Sequence, residues 1–364
     1  MNSAQPYCGV IGLGSMGLGM ARSLLRAGLP VWGHDVREDV TAQFAEQTGQ
    51  PLRPLAEQAA RSDLLFIVVV NADQASEVLF GEQGIGKHLR PGSVVLLCAT
   101  VAASRAREIA ARLAEQDVQM LDAPISGGAQ RAAMGGLTIM ASGPDSAFAA
   151  AEAGLDAVAA KVYRLGDQAG QGSQIKLVNQ LLAGVHIAAA AEAMAYGIRQ
   201  GCDAQALFEV ISHSAGNSWM FENRVPHLLA GDYSPRSAVN IFVKDLGLVL
   251  DSAQQDVFPL PLTATAHQMF KQASASGFGR EDELTFSVRA DRSGFVGRLF
   301  ARQLGNRPRE LAVCGGFAFG GDQIWRHRCG GVAPGAADVS DDGCEILVVD
   351  HARVADPGHV QVPL

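Results

Sequence analysis

Short apolar runs rich in β-branched residues recur through the first 165 positions, each followed by a longer stretch of helical character. That alternation is the pattern of a parallel sheet with helices on both faces. Strands are predicted at Tyr7–Ile11, Val31–His34, Leu64–Val70, Val94–Cys98, Gln119–Asp122, Thr138–Ser142 and Val162–Leu165, with helices at Met16–Ala27, Val40–Thr48 and Ser104–Glu115. From Gly170 the character changes. Ser173–Gln200 is one long stretch rich in Ala, Leu, Met and Glu, and helix-like pieces continue to about Ser276, so the second part is predicted to be all-helical. Asn179, Gln180, His186 and Glu192 interrupt the apolar face of the long stretch, which therefore reads as a buried helix and not a membrane span.

A second shift follows Glu283. All five lysines lie at or before Lys271, whereas nine arginines and three of the six cysteines come after Glu283, among several Gly-Gly pairs. No sustained period appears there, and weak order is expected. The expected division is thus 1–168, 169–282 and 283–364.

Composition acts mainly by exclusion. The 364 residues, 48% of them hydrophobic, suffice for two cores. With a formal net charge of -8 and no run of five basic residues, a nucleic-acid partner is not expected. No basic segment precedes an apolar one at the start, and no unbroken apolar stretch nears the ~18 residues of a membrane helix, so a soluble cytoplasmic protein is expected. The cysteines are scattered, without a C-x-x-C pair or a histidine at ligand spacing, which points to reduced thiols and no metal.

Four segments carry candidate chemistry. G-x-G-x-x-G falls at Gly12, Gly14 and Gly17, directly after a strand and directly before a helix. In that context the glycines allow a tight turn, an approach of backbone to a pyrophosphate and close packing of helix on strand, with Leu13, Ser15 and Met16 between them. Asp35 closes the next strand, where a carboxylate accepts from ribose hydroxyls and repels a 2′-phosphate; this favours NAD over NADP, with Arg37 as the opposing cue. Val70 and Asn71, at the end of the third strand, are counted with the cofactor contacts. Asp122–Gly128 follows another strand, and Ser126, Gly127 and Gly128 offer a hydroxyl and unobstructed amides to a carboxylate. Lys176 and Asn179 are three apart near the start of the long helix and share a face. A lysine at a helix N-terminus opposes the macrodipole, and partial burial would lower its pKa and fit it to carry a proton; from spacing alone the alternative is a solvated surface lysine. Lys244-Asp245 is either a surface ion couple or a cofactor contact with its counter-charge.

In this order the glycine fingerprint, Asp122–Gly128, Gly170–Asn179 and Lys244-Asp245 resemble the β-hydroxyacid dehydrogenase family across about 280 residues. The resemblance implies a Rossmann doubly wound domain joined by a long helix to an all-α domain. It implies an NAD-dependent oxidoreductase acting on a small sugar acid or other short hydroxyacid, assembled as a homodimer or homotetramer. By the same resemblance Lys176 is the acid/base, Ser126, Gly127, Gly128 and Asn179 bind substrate, and Thr100 and Lys244 contact NAD. Gln180–Ala188, Ala215–Arg224 and Gly231–Leu248 resemble more narrowly the members that oxidise the 2-hydroxyl of a four-carbon sugar acid; 3-hydroxyisobutyrate and D-glycerate are the alternative substrates. Two departures stand out. Gln180 replaces the second Asn of K-x-x-N-N, and is read as a tolerated variation. After Asp282 the family pattern gives way to unrelated sequence, read as a frameshift or read-through that leaves open an NAD-binding protein without turnover.

Overall fold

The computed structural model describes residues 5–282 except 233, 235 and 236; the 283–364 segment lies outside the described residues. In chain order the first half runs β1 (Cys8–Ile11), α1 (Ser15–Arg26), β2 (Val31–His34), α2 (Glu38–Thr48), α3 (Leu55–Arg61), β3 (Leu64–Ile67) and α4 (Ala72–Phe80). It continues with β4 (Val94–Leu97), α5 (Ala103–Ala114), β5 (Gln119–Asp122), β6 (Ile125–Ser126), α6 (Gly128–Met134), β7 (Leu137–Ala141), α7 (Asp145–Val158) and β8 (Ala159–Arg164). Five strands form a parallel sheet in the order β2-β1-β3-β4-β5. A smaller sheet, β6-β7-β8, is joined to it by an antiparallel bridge between Asp122 and Ser142.

The sheet is apolar on both faces because both are covered. On β4, Val94 and Leu96 enter one core with Phe66, Met20 and Phe148, while Val95 and Leu97 enter another with Ile67, Leu79 and Ile109. Successive side chains point to opposite faces, so a continuous run such as Val94–Leu97 fills two cores at once. Strand order reverses about β1, with β2 on one side and β3 on the other, and such a switch point opens a crevice at the C-terminal ends of the strands.

The second half is helical: α8 (Gln171–Arg199), α9 (Ala204–Ser212), α10 (Trp219–Leu229), α11 (Val239–Gln255) and α12 (Pro261–Ala273). By length and composition α8 also meets the measure of a membrane-spanning helix. Its apolar residues are used otherwise: Ile187, Ala191, Met194 and Ile198 pack with Phe221, Val225, Phe242, Leu246 and Phe270 into a core of this half's own. The fold is α/β, a Rossmann-like doubly wound sheet followed by a helical part reached through the long α8.

The predicted strands reappear with three corrections; the last strand begins at Ala159, three residues before Val162, because Ala159 already pairs with Leu137 of β7. The third ends at Ile67, short of Val70, because the Val70 N–H donates to the Gln74 side chain and Asn71 caps α4, which takes these residues out of the ladder. The two-residue β6 has no counterpart among the predictions, since two positions are too few to show a period.

Candidate functional site

Every candidate residue of the first half follows the C-terminal end of a strand: the glycines after β1, Asp35 after β2, Val70 and Asn71 after β3, Thr100 after β4 and Ser126 shortly after β5. The glycine turn is built tightly. Gly12 has φ +91, and a Cβ there would lie 2.3 Å from the Val68 carbonyl oxygen; one on Gly17 would lie 1.8 Å from the Gly12 oxygen. Gly14 is different. Its φ of -66 and ψ of -171 suit any residue, and a Cβ would meet nothing within 4 Å. Neither strain nor packing among the described residues calls for glycine at that position, so the open space beside it fits a group from outside. The first turn of α1 has no acidic residue and no side-chain cap, leaving its N–H groups to an anion. These features fit the pyrophosphate of a dinucleotide.

Leu13 is buried, and its amide donates to Asp35 Oδ2 at 2.9 Å, which fixes the carboxylate beside the turn. Arg37 grips the same carboxylate through its backbone N–H at 3.1 Å and Nε at 3.0 Å, and these bonds hold the Asp35 carboxyl below its ordinary range. The two opposing cofactor cues of the sequence are thus bonded to each other. Asn71 accepts from Gln74 N–H as the N-cap of α4, and Val70 stands half exposed beside it.

Asp122 is fully buried. Its Oδ2 accepts from the N–H groups of Gly170 at 2.9 Å and Ser173 at 2.8 Å, and Oδ1 accepts from Ser173 Oγ at 2.7 Å. Gly170, at the N-cap of α8, has no side chain with which to cap it, so a carboxylate from β5 does so across 51 positions. Ser142 Oγ accepts from Gly172 N–H at 3.0 Å and completes the latch. Burial pushes the Asp122 carboxyl up, and the Ser173 and Gly170 bonds oppose it. The neighbouring Cys98 thiol is pushed up to about 12 by burial and by Asp122, which makes it a poor nucleophile.

Lys176 follows one turn along α8. It is 6% exposed and makes no hydrogen bond or ion pair to the described residues. Burial lowers its pKa from 10.5 to about 8; the nearby Asp245 resists this and Lys244 adds to it. Lys244 Nζ donates to the Thr100 carbonyl at 3.0 Å and lies 2.7 Å from Asp245 Oδ1 as an ion pair, off the angle of a hydrogen bond. Gln180 Nε2 donates to Asp245 Oδ2 at 2.5 Å, and Gln180 Oε1 accepts from Asn179 Nδ2 at 3.1 Å. Thr100, Lys176, Asn179 and Lys244 are therefore gathered into one cluster, with Gln180 and Asp245 as its unforeseen members.

Comparison with known proteins identifies the family. Residues 7–166 match the NAD binding domain of 6-phosphogluconate dehydrogenase, and 170–287 match a domain described as NAD-binding of NADP-dependent 3-hydroxyisobutyrate dehydrogenase. An L-threonate dehydrogenase of Cupriavidus necator is 58% identical over 275 residues, 76% of this chain and 93% of the relative. One from Escherichia coli K12 is 51% identical over 76% of this chain and 92% of its own. The chain belongs to the β-hydroxyacid dehydrogenase family. Like it, a crystal structure described as 3-hydroxyisobutyrate dehydrogenase from Salmonella typhimurium superposes with a TM-score of 0.73 at 50% identity, covering 78% of this chain and 99% of that one. This β-hydroxyacid dehydrogenase is an NAD-dependent enzyme of the hydroxyacid class.

In the dehydrogenase, Ser126, Gly127 and Gly128 form the turn from β6 into α6; Gly127 has φ +138 and Gly128 +77, and the space beside Gly128 is open. No hydrogen bond ties this turn to the Lys176 cluster among the described residues. Its connection is through Asp122, four positions before Ser126, which holds α8. Helix α6 packs on α1, with Ser23 Oγ donating to the Ala132 carbonyl at 2.8 Å, so the turn is also anchored to the helix that follows the glycine turn. Asn217, within the Ala215–Arg224 segment, donates its amide to the Ser212 carbonyl and to Glu222, and so holds its own loop.

Proposed function

We propose that this dehydrogenase oxidises the 2-hydroxyl of L-threonate to give 2-dehydro-L-erythronate, with Lys176 as acid/base. The observation that carries the reading is Lys176 itself: a buried lysine with no bonding partner among the described residues, poised near pH 8, on a helix latched to the strand that leads into the Ser126 turn. NAD, when bound, supplies the acceptor for the hydride that leaves C2. Gly12–Gly17 and Asp35 would hold its pyrophosphate and ribose, and Thr100 and Lys244 its nicotinamide end. Lys176 Nζ, neutral, takes the proton of the 2-hydroxyl; the resulting ammonium then faces the new carbonyl oxygen and stabilises its partial charge. Ser126, Gly127 and Gly128 receive the carboxylate through hydroxyl and amide donors, and Asn179 contacts the hydroxyls. The identities of 49–58% with proteins named L-threonate dehydrogenase support the substrate.

NADH formation with purified protein and L-threonate, D-threonate, D-glycerate and 3-hydroxyisobutyrate tests this, alongside Lys176→Ala. Turnover on L-threonate that Lys176→Ala abolishes is expected; equal turnover by the variant would end the assignment. The exposed apolar residues Ile175, Val178, Leu182 and Tyr196 along α8 support a homodimer or homotetramer built through the helical part, in a cytoplasmic protein. Light scattering of the purified protein checks the assembly, and a monomer at micromolar concentration would exclude it.

A further inference from the structure

We infer that Gln180 locks the polarity of Asn179, so that the site selects acids bearing a second hydroxyl next to the reacting one; this deepens the reading of Lys176 as the proton acceptor and rests on it. Asp245 is 1% exposed and ion-paired to Lys244. A carboxylate in such a pair only accepts hydrogen bonds. The Gln180 atom 2.5 Å from Asp245 Oδ2 must therefore be the amide nitrogen, which turns the Gln180 oxygen toward Asn179. That oxygen in turn requires nitrogen from Asn179, at 3.1 Å. Turning either amide over would set oxygen against oxygen, so the orientation of both follows from the charge on Asp245.

The consequence lies at the free edge of Asn179, which is half buried. It presents Oδ1, which no described residue occupies, and one remaining N–H. A substrate carboxylate has no proton for Oδ1 and would face it as oxygen against oxygen. The reacting hydroxyl cannot satisfy it either, because its proton goes to Lys176 and the oxygen becomes a carbonyl. The donor that Oδ1 awaits is a different hydroxyl. Residues three apart on a helix have Cβ atoms about 5–6 Å apart, which suits substituents on adjacent carbons of one small substrate. L-threonate and glycerate carry such a hydroxyl; 3-hydroxyisobutyrate and lactate do not. In this chain the Gln at position 180 is thus a positioning residue that acts on specificity through Asn179.

The test uses two pairs of acids that differ in that hydroxyl alone: glycerate against lactate, and L-threonate against 2,4-dihydroxybutanoate. For wild type and Gln180→Met, kcat/KM is measured for each acid. Binding of the same acids to NADH-saturated protein is measured by calorimetry, independently of turnover. Wild type should prefer the hydroxylated member at least tenfold, a modest figure for a site built to bond a hydroxyl, in the order-of-magnitude sense of ~10. Gln180→Met should shrink that ratio to about threefold or less, chiefly by loss on the hydroxylated member. An equal loss on both members, which a merely structural role would produce, overturns the inference, as does a wild type without preference. Preference in binding with no turnover would sink the dehydrogenase reading and leave the polarity standing; turnover without preference would do the reverse. If Gln180→Met does not fold, Gln180→Asn, one methylene too short to span from Asn179 to Asp245, carries the same measurement.

Discussion

Replacing Lys176 with methionine should make the protein more stable and nearly inactive. The lysine is 6% exposed, bonds to none of the described residues, and has its pKa lowered by burial from 10.5 to about 8. At ~1.4 kcal/mol per tenfold change in proton affinity, that fall corresponds to about 3 kcal/mol. Because the folded-state value is the lower one, the unfolded chain holds a proton that the folded chain lacks between about pH 8 and 10.5. Stability should therefore rise with pH across that window; the cost is full below it and absent above it. Methionine has a similar length and no charge, so Lys176→Met should exceed wild type by up to ~3 kcal/mol near neutral pH, with the two curves converging above about pH 10. Urea unfolding at several pH values measures the difference directly. A variant no more stable than wild type at neutral pH, or a gap that does not change with pH, would refute the argument. Turnover should fall by roughly 10²–10⁴, the range for loss of a general acid/base.

Three further outcomes follow from the same geometry. For hydroxyacid oxidation, kcat/KM should rise with pH through an inflection near 8, because Lys176 must be neutral to take the proton; the reverse reduction should fall through the same region, and a flat profile in both directions would contradict the role. Asp122→Ala should cost roughly 2–4 kcal/mol by leaving the Gly170 and Ser173 donors unsatisfied at the start of α8, as thermal melting would show. Gly14→Ala, which meets nothing within 4 Å, should leave stability within about 0.5 kcal/mol while NADH affinity drops about tenfold or more by fluorescence titration, whereas Gly17→Ala, blocked by the Gly12 oxygen, should destabilise the fold itself.

What was legible beforehand was what repeats locally. Val94–Leu97 is apolar at every position because alternate residues fill different cores, and the glycine turn announces itself within six positions. Lys176 and Lys244 were legible as members of short motifs. Their relation was not: Gln180 and Asp245 meet across 65 positions, and no periodicity encodes that one amide must face one carboxylate. Asp122 is the instructive case, because two unmet needs in the sequence point to it. A carboxylate ending an apolar strand, if buried, needs donors. Helix α8 begins Gly170-Gln-Gly-Ser with neither an acidic first turn nor a capping side chain, so its N–H groups need an acceptor. Each need answers the other: the bridge sets Asp122 beside Ser142, whose hydroxyl accepts from Gly172 at the start of α8, so strand end and helix start meet. Tying the α8 start to the segment that leads into Ser126 puts the proposed proton acceptor and the expected carboxylate donors on either side of one hydrogen-bonded joint, so the relative placement of Lys176 and the Ser126 turn depends on Asp122, a residue outside the proposed chemistry.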